Sequence, residues 1–287
     1  MILSDWLEKW ESMHAAKVRA STIRGYKDAL SHLSTTFLAL DLLQITGMDW
    51  EAEIYRIKAA YPRQAELCHI ALRKSWKDAQ RHRLIPYDFQ PWVYVDPPKH
   101  QQKKTPFLLP EEMPAYYRAA MKQPAALPLF LMLCLGLRRG EALGLAWKDI
   151  DERLQVITIQ RQLINGCSAP LKTNASYRKI PVDSSILHKI QTLGDRSGFL
   201  CYNGTVKSLY ASHQAALLAA GIAEGITLHG LRHSMATAAL NAGADVKTIQ
   251  SILGHATYAI TADTYCHALM APERAALAAL ATRLEIA

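Results

Sequence analysis

Two histidines, an arginine and a tyrosine lie close together near the C-terminal end of the sequence. His229 and Arg232 are three residues apart, and the apolar spacing from Leu228 to Leu240 predicts a helix, so both lie on one face near its N-terminus. A helix N-terminus attracts anions, and this one would place an acid/base group beside a permanent cation. His255 follows a Leu-Gly pair that ends the next short helix, and Tyr265 comes ten residues later. Together these side chains could bind an anion and move a proton beside it.

This set of residues resembles the C-terminal signature of the tyrosine recombinases, also called phage integrases. The HGLRH segment at 229–233 is similar to the H-x-x-R box of that family, and the LGH segment at 253–255 is similar to its L-G-H box. The DTYCH segment around Tyr265 resembles the one that carries the nucleophilic tyrosine of the family. Tyr258, only three residues after His255, fits that position poorly, and we expect it to be a core or supporting residue.

Two further boxes of the family lie upstream in the required order. The GLRRGE segment at 136–141 resembles the G-L-R-x-x-E box, which implies Arg138 as its arginine and Glu141 as a supporting carboxylate. The neighbouring Arg139 would point elsewhere on a helix, as a structural residue or a phosphate contact. Lys172 precedes an R-x-I-P strand, where the family has the lysine of its mobile β-hairpin. The resemblance thus implies six catalytic residues: Arg138, Lys172, His229, Arg232, His255 and Tyr265.

The reaction implied by the resemblance is transesterification at a DNA phosphodiester. Tyr265 would attack the phosphorus, form a 3′-phosphotyrosyl link and release a 5′-hydroxyl, and a 5′-hydroxyl of the partner duplex would reverse the step. Because one phosphodiester replaces another, we expect neither ATP nor a cofactor. Arg138 and Arg232 would clamp the phosphate, since bidentate, permanently charged donors suit its developing charge. His255 would donate a further hydrogen bond, His229 would act as base or proton relay, and Lys172 as acid.

The biological role stays open between two branches of the family. The spacing from His255 to Tyr265 and the D-T-Y-x-H ending resemble integrases of phages and mobile elements, whereas the Xer-type resolution branch usually has one residue fewer. We therefore expect integration or excision of such an element. Xer-type resolution, a type IB topoisomerase and a non-catalytic DNA-binding protein derived from a recombinase are the alternatives.

The composition agrees with a nucleic-acid partner. The 287 residues carry 33 Lys and Arg against 25 Asp and Glu, a net charge of +8, and half of them are apolar, enough for two modest cores. Five scattered cysteines without a C-x-x-C indicate a reducing compartment. The N-terminus lacks the pattern of a secretion signal, and the longest apolar stretch, Leu127 to Leu137, is far shorter than the roughly 20 residues of a membrane span. We expect a soluble, cytoplasmic protein.

Apolar spacing predicts a small all-helical domain over residues 1–95, with helices at 3–14, 21–39, 50–60 and 64–83. Ser21 would cap the second helix, and Ile70 would be among the inward residues of the fourth. Exposed basic side chains make this domain a candidate for duplex DNA binding. Its candidate phosphate contacts are Arg19, Arg24, Lys27, Arg73, Lys77 and Arg81.

Residues 96–107 form a proline-containing basic linker, and Lys99, Lys103 and Lys104 could follow a phosphate backbone. A catalytic domain over 108–270 would contain strands at 154–160 and 178–182, and an alanine-rich helix over 271–287 would pack on its own domain or on a neighbouring protomer. The expected fold is mainly α with a small antiparallel β-sheet. The resemblance implies a two-lobed DNA clamp of a helical core-binding domain and an α+β catalytic domain.

The same resemblance implies a homotetramer on paired DNA sites, with accessory DNA-bending or directionality proteins as further partners. A zinc site is the competing use of the histidines, since His229 and His233 are spaced i, i+4, with Cys266 and His267 nearby. The glutamate of an H-E-x-x-H motif is missing, and the chain has no C-x-x-C partner. We therefore expect no metal.

Overall fold

The computed structural model of the chain describes residues 1–93, 95–100, 105–164, 166–171, 176–196, 198–201 and 206–254. The chain divides into two compact units, Met1–Lys103 and Lys104–Ala287. Their boundary lies within the predicted linker, while the exact domain bounds stay a prediction. Several residues singled out by the sequence lie outside the described residues: Lys103, Lys104, Lys172, His255, Tyr258, Tyr265, Cys266, His267 and the helix predicted over 271–287.

The first unit is helical, as predicted. Its helices are α1 (Leu3–Ala15), α2 (Ala20–Leu30), α3 (Thr35–Leu38), α4 (Gly47–Ala60) and α5 (Pro62–Arg81). Tryptophans fill much of its core: the ring centroid of Trp50 lies 5.4 Å from that of Trp76 and 5.6 Å from that of Trp92. Such aromatic contacts bury large apolar surfaces and fix how the helices pack.

Two expectations for α2 and α3 were wrong. The helix predicted over 21–39 is broken, because the chain turns after Leu30 and restarts at Ser34, whose hydroxyl accepts a hydrogen bond from the amide of Phe37 at 3.2 Å. Glu53 on α4 reinforces this start by accepting a hydrogen bond from the Ser34 amide. Ser21 is not the N-cap of α2; that position is Arg19, which makes no side-chain capping bond. Periodicity alone did not show these interruptions.

In α5, Ile70 is 44% exposed instead of inward. The buried face passes through Ala65, Cys68 and Leu72, which places Ile70 on the outer side. This face packs against α4 and α2, and the small side chains of Ala65 and Cys68 allow a close approach. Ala71 and Trp76 of the same helix are buried, so the predicted inward face is wrong at Ile70 alone among these three residues.

The second unit combines helices with short antiparallel strands, as predicted. Its helices are α6 (Met113–Ala120), α7 (Ala126–Leu135), α8 (Arg139–Gly144), α9 (Ser184–Leu193), α10 (Val206–Ala219), α11 (Leu228–Asn241) and α12 (Val246–Leu253), with a 3-10 turn at Trp147–Asp149. Its strands are β1 (Ile150–Asp151), β2 (Val156–Ile159), β3 (Arg161–Ile164), β4 (Cys167–Pro170) and β5 (Arg178–Pro181). The strand order β1-β2-β5 forms one antiparallel sheet, and β3 and β4 form a separate hairpin.

The apolar helix α7 is the centre of this unit. Helices α6, α8, α9, α10 and α11 all contact it, and most of its side chains are buried. A helix that is apolar all round belongs in such a core. Among the described residues, no helix has the length and apolarity that crossing a membrane requires. The apolar stretch at 127–137 is thus explained by packing.

The two predicted strands are present as β2 and β5, but the structure contains further strands that were not predicted. Strand β2 is shorter than the predicted 154–160 because Gln155 has a positive φ of 53°, which breaks the extended backbone. Strand β5 agrees with the predicted 178–182 to one residue. The hairpin of β3 and β4 was not predicted, because most of its residues are partly or fully exposed and show no alternation.

Candidate active site

Arg138 stands directly after the sharp turn that ends α7. Gly136 ends this helix with a φ of 61°, in the left-handed region that favours glycine, and Arg138 becomes the N-cap of α8. The Arg138 amide donates to Glu141 Oε2 at 3.0 Å, and its guanidinium donates to Glu141 Oε1 at 2.7 Å. The side chain is nevertheless 34% exposed. Its cation is therefore oriented by the protein and still accessible.

Arg232 reaches the same region from α11. The residue is 1% exposed, and its terminal nitrogens donate to Gly136 O at 2.7 Å and to Leu253 O at 2.6 Å. Both carbonyls belong to helix ends, where carbonyls lack partners within the helix and carry partial negative charge. Arg232 therefore joins the ends of α7 and α12.

The end of α12 collects a third arginine. Three consecutive carbonyls accept hydrogen bonds from three different arginines: Ile252 O from Arg178 Nε at 2.5 Å, Leu253 O from Arg232, and Gly254 O from a terminal nitrogen of Arg138 at 3.4 Å. We call Arg138, Arg178 and Arg232 the arginine cluster. Its members come from a helix start, a strand and a helix interior, so only the tertiary fold brings them together.

Glu141 lies between two members of the cluster. The carboxylate is 2% exposed and binds the guanidinium of Arg138 through Oε1 and that of Arg178 through Oε2, the latter at 2.9 Å. Burial alone would raise the pKa of Glu141, but Arg178 and then Arg138 outweigh it, and the pKa lies below its usual value. The three guanidinium groups of the cluster outnumber this one ionised carboxylate, so the site keeps a net positive charge, which suits an anionic ligand.

His229 lies next to this charge on the first turn of α11, where the Thr227 hydroxyl accepts a hydrogen bond from the Gly230 amide at 3.1 Å. Although its side chain is accessible to solvent, partial burial, followed by Arg232 and Arg138, lowers the pKa of His229. His233 lies one turn on, its ring 4.8 Å from that of His229, and burial above all lowers its pKa to about 4. The lowered pKa favours the neutral imidazole of His229, which can accept a proton beside a cationic site.

A sequence model of the phage integrase family matches residues 106–271, which is more than half of the chain and contains the whole site. The chain belongs to the phage integrase family. It is therefore a tyrosine recombinase, a DNA strand transferase that acts through a tyrosine nucleophile without ATP or metal. Among the described residues, no group of three His, Cys, Asp or Glu side chains could hold a metal ion.

Tyrosine recombinases of other bacteria are similar to this one over half or more of its length. The tyrosine recombinase XerC of Staphylococcus aureus is 25% identical over 260 residues, which cover 84% of this chain and 84% of the relative. A XerC-like recombinase of Caldanaerobacter subterraneus is 27% identical over 188 residues. That match covers 53% of this chain and 48% of the relative. This chain therefore spans about half the length of that relative.

Solved structures share the fold of the recombinase. The Tn1549 transposon integrase in complex with a circular intermediate DNA superposes with a TM-score of 0.75 at 20% identity, over 98% of this chain and 99% of that one. A lambda integrase tetramer bound to a Holliday junction superposes with a TM-score of 0.69 at 18% identity, over 92% and 77% of the two chains. At this identity the likeness establishes the fold alone.

The structure brings four of the predicted site residues of the recombinase together: Arg138, Glu141, His229 and Arg232. Arg139 points elsewhere, as expected; its guanidinium donates to Tyr210 Oη at 3.2 Å and lies 5.8 Å from the centroid of that ring. Arg178 is the residue of the site that the sequence did not single out. The sequence did contain a sign of its role. Arg178 lies two residues before Ile180 in the R-x-I-P strand, so both side chains face inward on the same side of the strand.

The predicted DNA contacts of the first unit lie on its surface. Arg19, Arg24, Lys27, Lys77, Arg81 and Lys99 are exposed, and Arg73 is partly buried. Two of these cations have carboxylate partners at 3.1 Å, Lys27 with Glu11 and Arg81 with Asp78. The guanidinium of Arg73 lies 6.0 Å from the ring centroid of Trp92. Their roles in DNA binding stay a prediction.

Proposed function

We propose that this recombinase is the integrase of a phage or another mobile element, and that it cuts and rejoins duplex DNA through a 3′-phosphotyrosyl intermediate. One observation carries the proposed chemistry. Arg138 and Arg232, far apart in sequence, donate to the adjacent carbonyls of Gly254 and Leu253, immediately before His255. Two fixed cations thus bind the short stretch of chain that directly precedes His255, the candidate hydrogen-bond donor.

The charge of the transition state determines what the cations do. A phosphodiester is already anionic, and charge accumulates on its non-bridging oxygens during attack. Arg138, which is oriented by Glu141 and still accessible, binds one such oxygen, and Arg232 stabilises the other side of the phosphate. Preorganised donors need no reorganisation at the moment of reaction, which makes this electrostatic contribution large.

Proton transfer is assigned to His229, Tyr265 and Lys172. A tyrosine hydroxyl ordinarily has a pKa of about 10, so its proton must leave as Tyr265 attacks. The lowered pKa favours the neutral form of His229, which accepts that proton directly or through a relay. Lys172 protonates the departing 5′-oxygen. His255 donates a hydrogen bond to the phosphate.

The mobile-element role is supported by the spacing from His255 to Tyr265 and by the D-T-Y-x-H ending. The fold shared with the Tn1549 and lambda integrases agrees with it. Xer-type resolution is the second candidate, favoured by the XerC relatives. Duplex DNA is the substrate in either case, and assembly as a homotetramer on paired sites follows the lambda integrase tetramer on its junction.

Covalent trapping tests the chemistry. Nicked suicide duplexes taken from the DNA that flanks the coding region are incubated with wild-type protein and with Tyr265→Phe. We expect a covalent protein–DNA adduct with the wild type and none with Tyr265→Phe, while both bind the duplex equally. An equal adduct in both proteins would remove Tyr265 as the nucleophile. Relaxation of supercoils without recombinant product would indicate a topoisomerase instead.

A second assay separates the two biological roles. One plasmid carries two different sites from the flanking DNA, and another carries two identical sites in direct repeat from the host chromosome. An integrase joins the unlike pair, whereas a resolution enzyme deletes the segment between the identical copies. Product from the repeat plasmid alone would overturn the mobile-element role and leave the strand-transfer chemistry intact.

A further inference from the structure

Arg178 is a charged residue of the site that the proposed mechanism does not use. It is the first residue of β5 and is 7% exposed, because its side chain faces inward. Its Nε donates to Ile252 O at 2.5 Å, and its two terminal nitrogens donate to Ser176 O at 3.0 Å and to Glu141 Oε2 at 2.9 Å. Every nitrogen of this buried guanidinium is thus bonded, and Glu141 balances its charge.

Arg178 and Arg138 bind the same two parts of the protein. Glu141 accepts from Arg138 at 2.7 Å through Oε1 and from Arg178 at 2.9 Å through Oε2. At the end of α12, Arg178 binds Ile252 O and Arg138 binds Gly254 O, two residues later. Carboxylate, helix end and two arginines therefore form a closed ring of contacts, in which moving one member shifts the others.

We infer that Arg178 is a positioning residue for strand transfer: it holds Glu141 and the last turn of α12, and thereby fixes where Arg138 presents its guanidinium to the phosphate. The inference rests on the proposed function, because it assigns Arg138 to that phosphate. Arg178 does not touch the substrate in this account. Its side chain is 5% exposed, whereas that of Arg138 is 34% exposed.

The electrostatics of Glu141 show why a second cation is needed. A buried carboxylate with a single cation binds that cation tightly or takes up a proton. Among the contributions that lower the pKa of Glu141, that of Arg178 precedes that of Arg138. Without Arg178, Arg138 either remains bound to Glu141 and is withheld from the phosphate, or loses its anchor when Glu141 is protonated.

Substitution of Arg178 in the full-length protein tests this. Arg178→Met removes the charge and the hydrogen bonds while keeping a long side chain. Arg178→Lys keeps a cation for Glu141 but loses the planar guanidinium, which can donate to several acceptors at once. The matched control is Arg161→Met. Arg161 is another arginine of the second unit, with a side chain 17% exposed, and it binds the buried Asp149, with a contact at 2.8 Å, instead of the carbonyls at the end of α12. Single-turnover cleavage of the suicide duplex, duplex affinity and melting temperature are measured for each protein.

We expect Arg178→Met to cleave about 100-fold more slowly than wild type at a duplex affinity changed by less than about threefold, as displacement of a catalytic group predicts. Arg178→Lys should recover part of the rate. The acid limb of the rate–pH profile should move toward neutral pH in Arg178→Met, because the pKa of Glu141 rises. Arg161→Met should keep the wild-type profile.

A purely structural role gives a different pattern. Both Met variants would then lose rate in proportion to the fraction unfolded, with unchanged pH profiles, and the inference would be wrong. If Arg178→Met does not fold, Arg178→Lys decides, since a wild-type rate and profile in that variant would equally exclude a positioning role. If wild-type protein forms no adduct, the proposed function itself fails, and the inference fails with it.

Discussion

Arg138 and Arg232 bind the neighbouring carbonyls of Gly254 and Leu253 but differ in their exposure and in their other partners. Arg138 is one-third exposed, and its carboxylate partner has a second cation. Arg232 is buried and satisfies one carbonyl at the end of α7 and one at the end of α12. Loss of Arg138 therefore affects mainly the reaction, whereas loss of Arg232 affects the reaction and the fold.

Substitutions of the two arginines should show this difference. We expect Arg138→Ala to raise the barrier of cleavage by about 3 kcal/mol, as removal of an oxyanion donor does. Arg232→Met should lower the rate at least as much and should also lower the free energy of unfolding by roughly 1–3 kcal/mol for each buried carbonyl left unpaired. Single-turnover cleavage and urea unfolding of both variants provide the measurement. Equal stability of the two variants would contradict the structural role of Arg232.

At this scale the sequence predicts some partners and not others. The spacing of His229 and Arg232 was itself informative, and the resemblance of the 136–141 segment to a family box implied Arg138 and Glu141. The partners of the arginine cluster are backbone carbonyls of Gly136, Ile252, Leu253 and Gly254, and any residue type provides such a carbonyl. The role of Arg178 could not be predicted for this reason, since it depends on where α12 ends in space.

Among the elements, periodicity was informative where one face is buried. Helices α1, α4, α11 and α12 lie close to their predicted positions, because each buries part of its surface in a core. The hairpin of β3 and β4 and the break after α2 escaped prediction, because exposure and local capping, not apolar spacing, determine them. The site itself depends on helix ends, which glycine marks in the sequence at 136 and 254.

The glycine that ends α7 provides a prediction at the element scale. A methyl group added to Gly136 would lie 2.3 Å from Met235 Cε and 2.7 Å from Leu253 Cδ2, at a backbone φ of 61°. Left-handed backbone alone costs about 1–2 kcal/mol for an alanine. Gly136→Ala should therefore destabilise the protein and slow cleavage, because the turn that delivers Arg138 must shift.

Gly243→Ala is the matched control for this variant. Gly243 also has a positive φ, of 94°, but a methyl group there meets no atom within 4 Å. We expect a similar backbone strain and a wild-type cleavage rate per folded molecule. Urea unfolding and single-turnover cleavage compare the two. A normal rate in Gly136→Ala would show that the turn does not control Arg138.

At the scale of the whole molecule, the basic first unit is expected to contribute binding and the second unit chemistry. Lys77 is an exposed cation of α5, on the helix that also carries Arg73 and Arg81. If it contacts a phosphate, Lys77→Ala should weaken binding to all duplexes alike and reduce the slope of log affinity against log salt by about 1. Cleavage at saturating protein should be unchanged. Lys58→Ala, which removes the same charge from α4, should leave the slope at its wild-type value.

Buried histidines make the stability of the molecule depend on pH. His69 is 3% exposed and its Nδ1 accepts a hydrogen bond from Trp50 Nε1 at 3.2 Å, so its protonation breaks this bond. Burial, followed by Arg73, lowers the pKa of His69 from 6.5 to about 4, and burial above all does the same for His233. The unfolded chain therefore binds more protons than the folded one below pH 6.5, and stability falls as pH decreases from about 6.5 to about 4.

His69→Gln separates this effect from the titration of carboxylates. Protonation of carboxylates lowers the stability of the protein mainly below about pH 4.5. Glutamine can still accept the hydrogen bond of Trp50 and does not titrate. We expect the titration of His69 to contribute about 1–2 kcal/mol to the fall in the wild-type free energy of unfolding between pH 6.5 and 5, since each pKa unit corresponds to about 1.4 kcal/mol. The variant should lose less over the same interval. Tryptophan fluorescence in urea follows the first unit, whose core contains Trp50. Parallel curves for the two proteins would show that His69 binds its proton equally well in the folded and unfolded states.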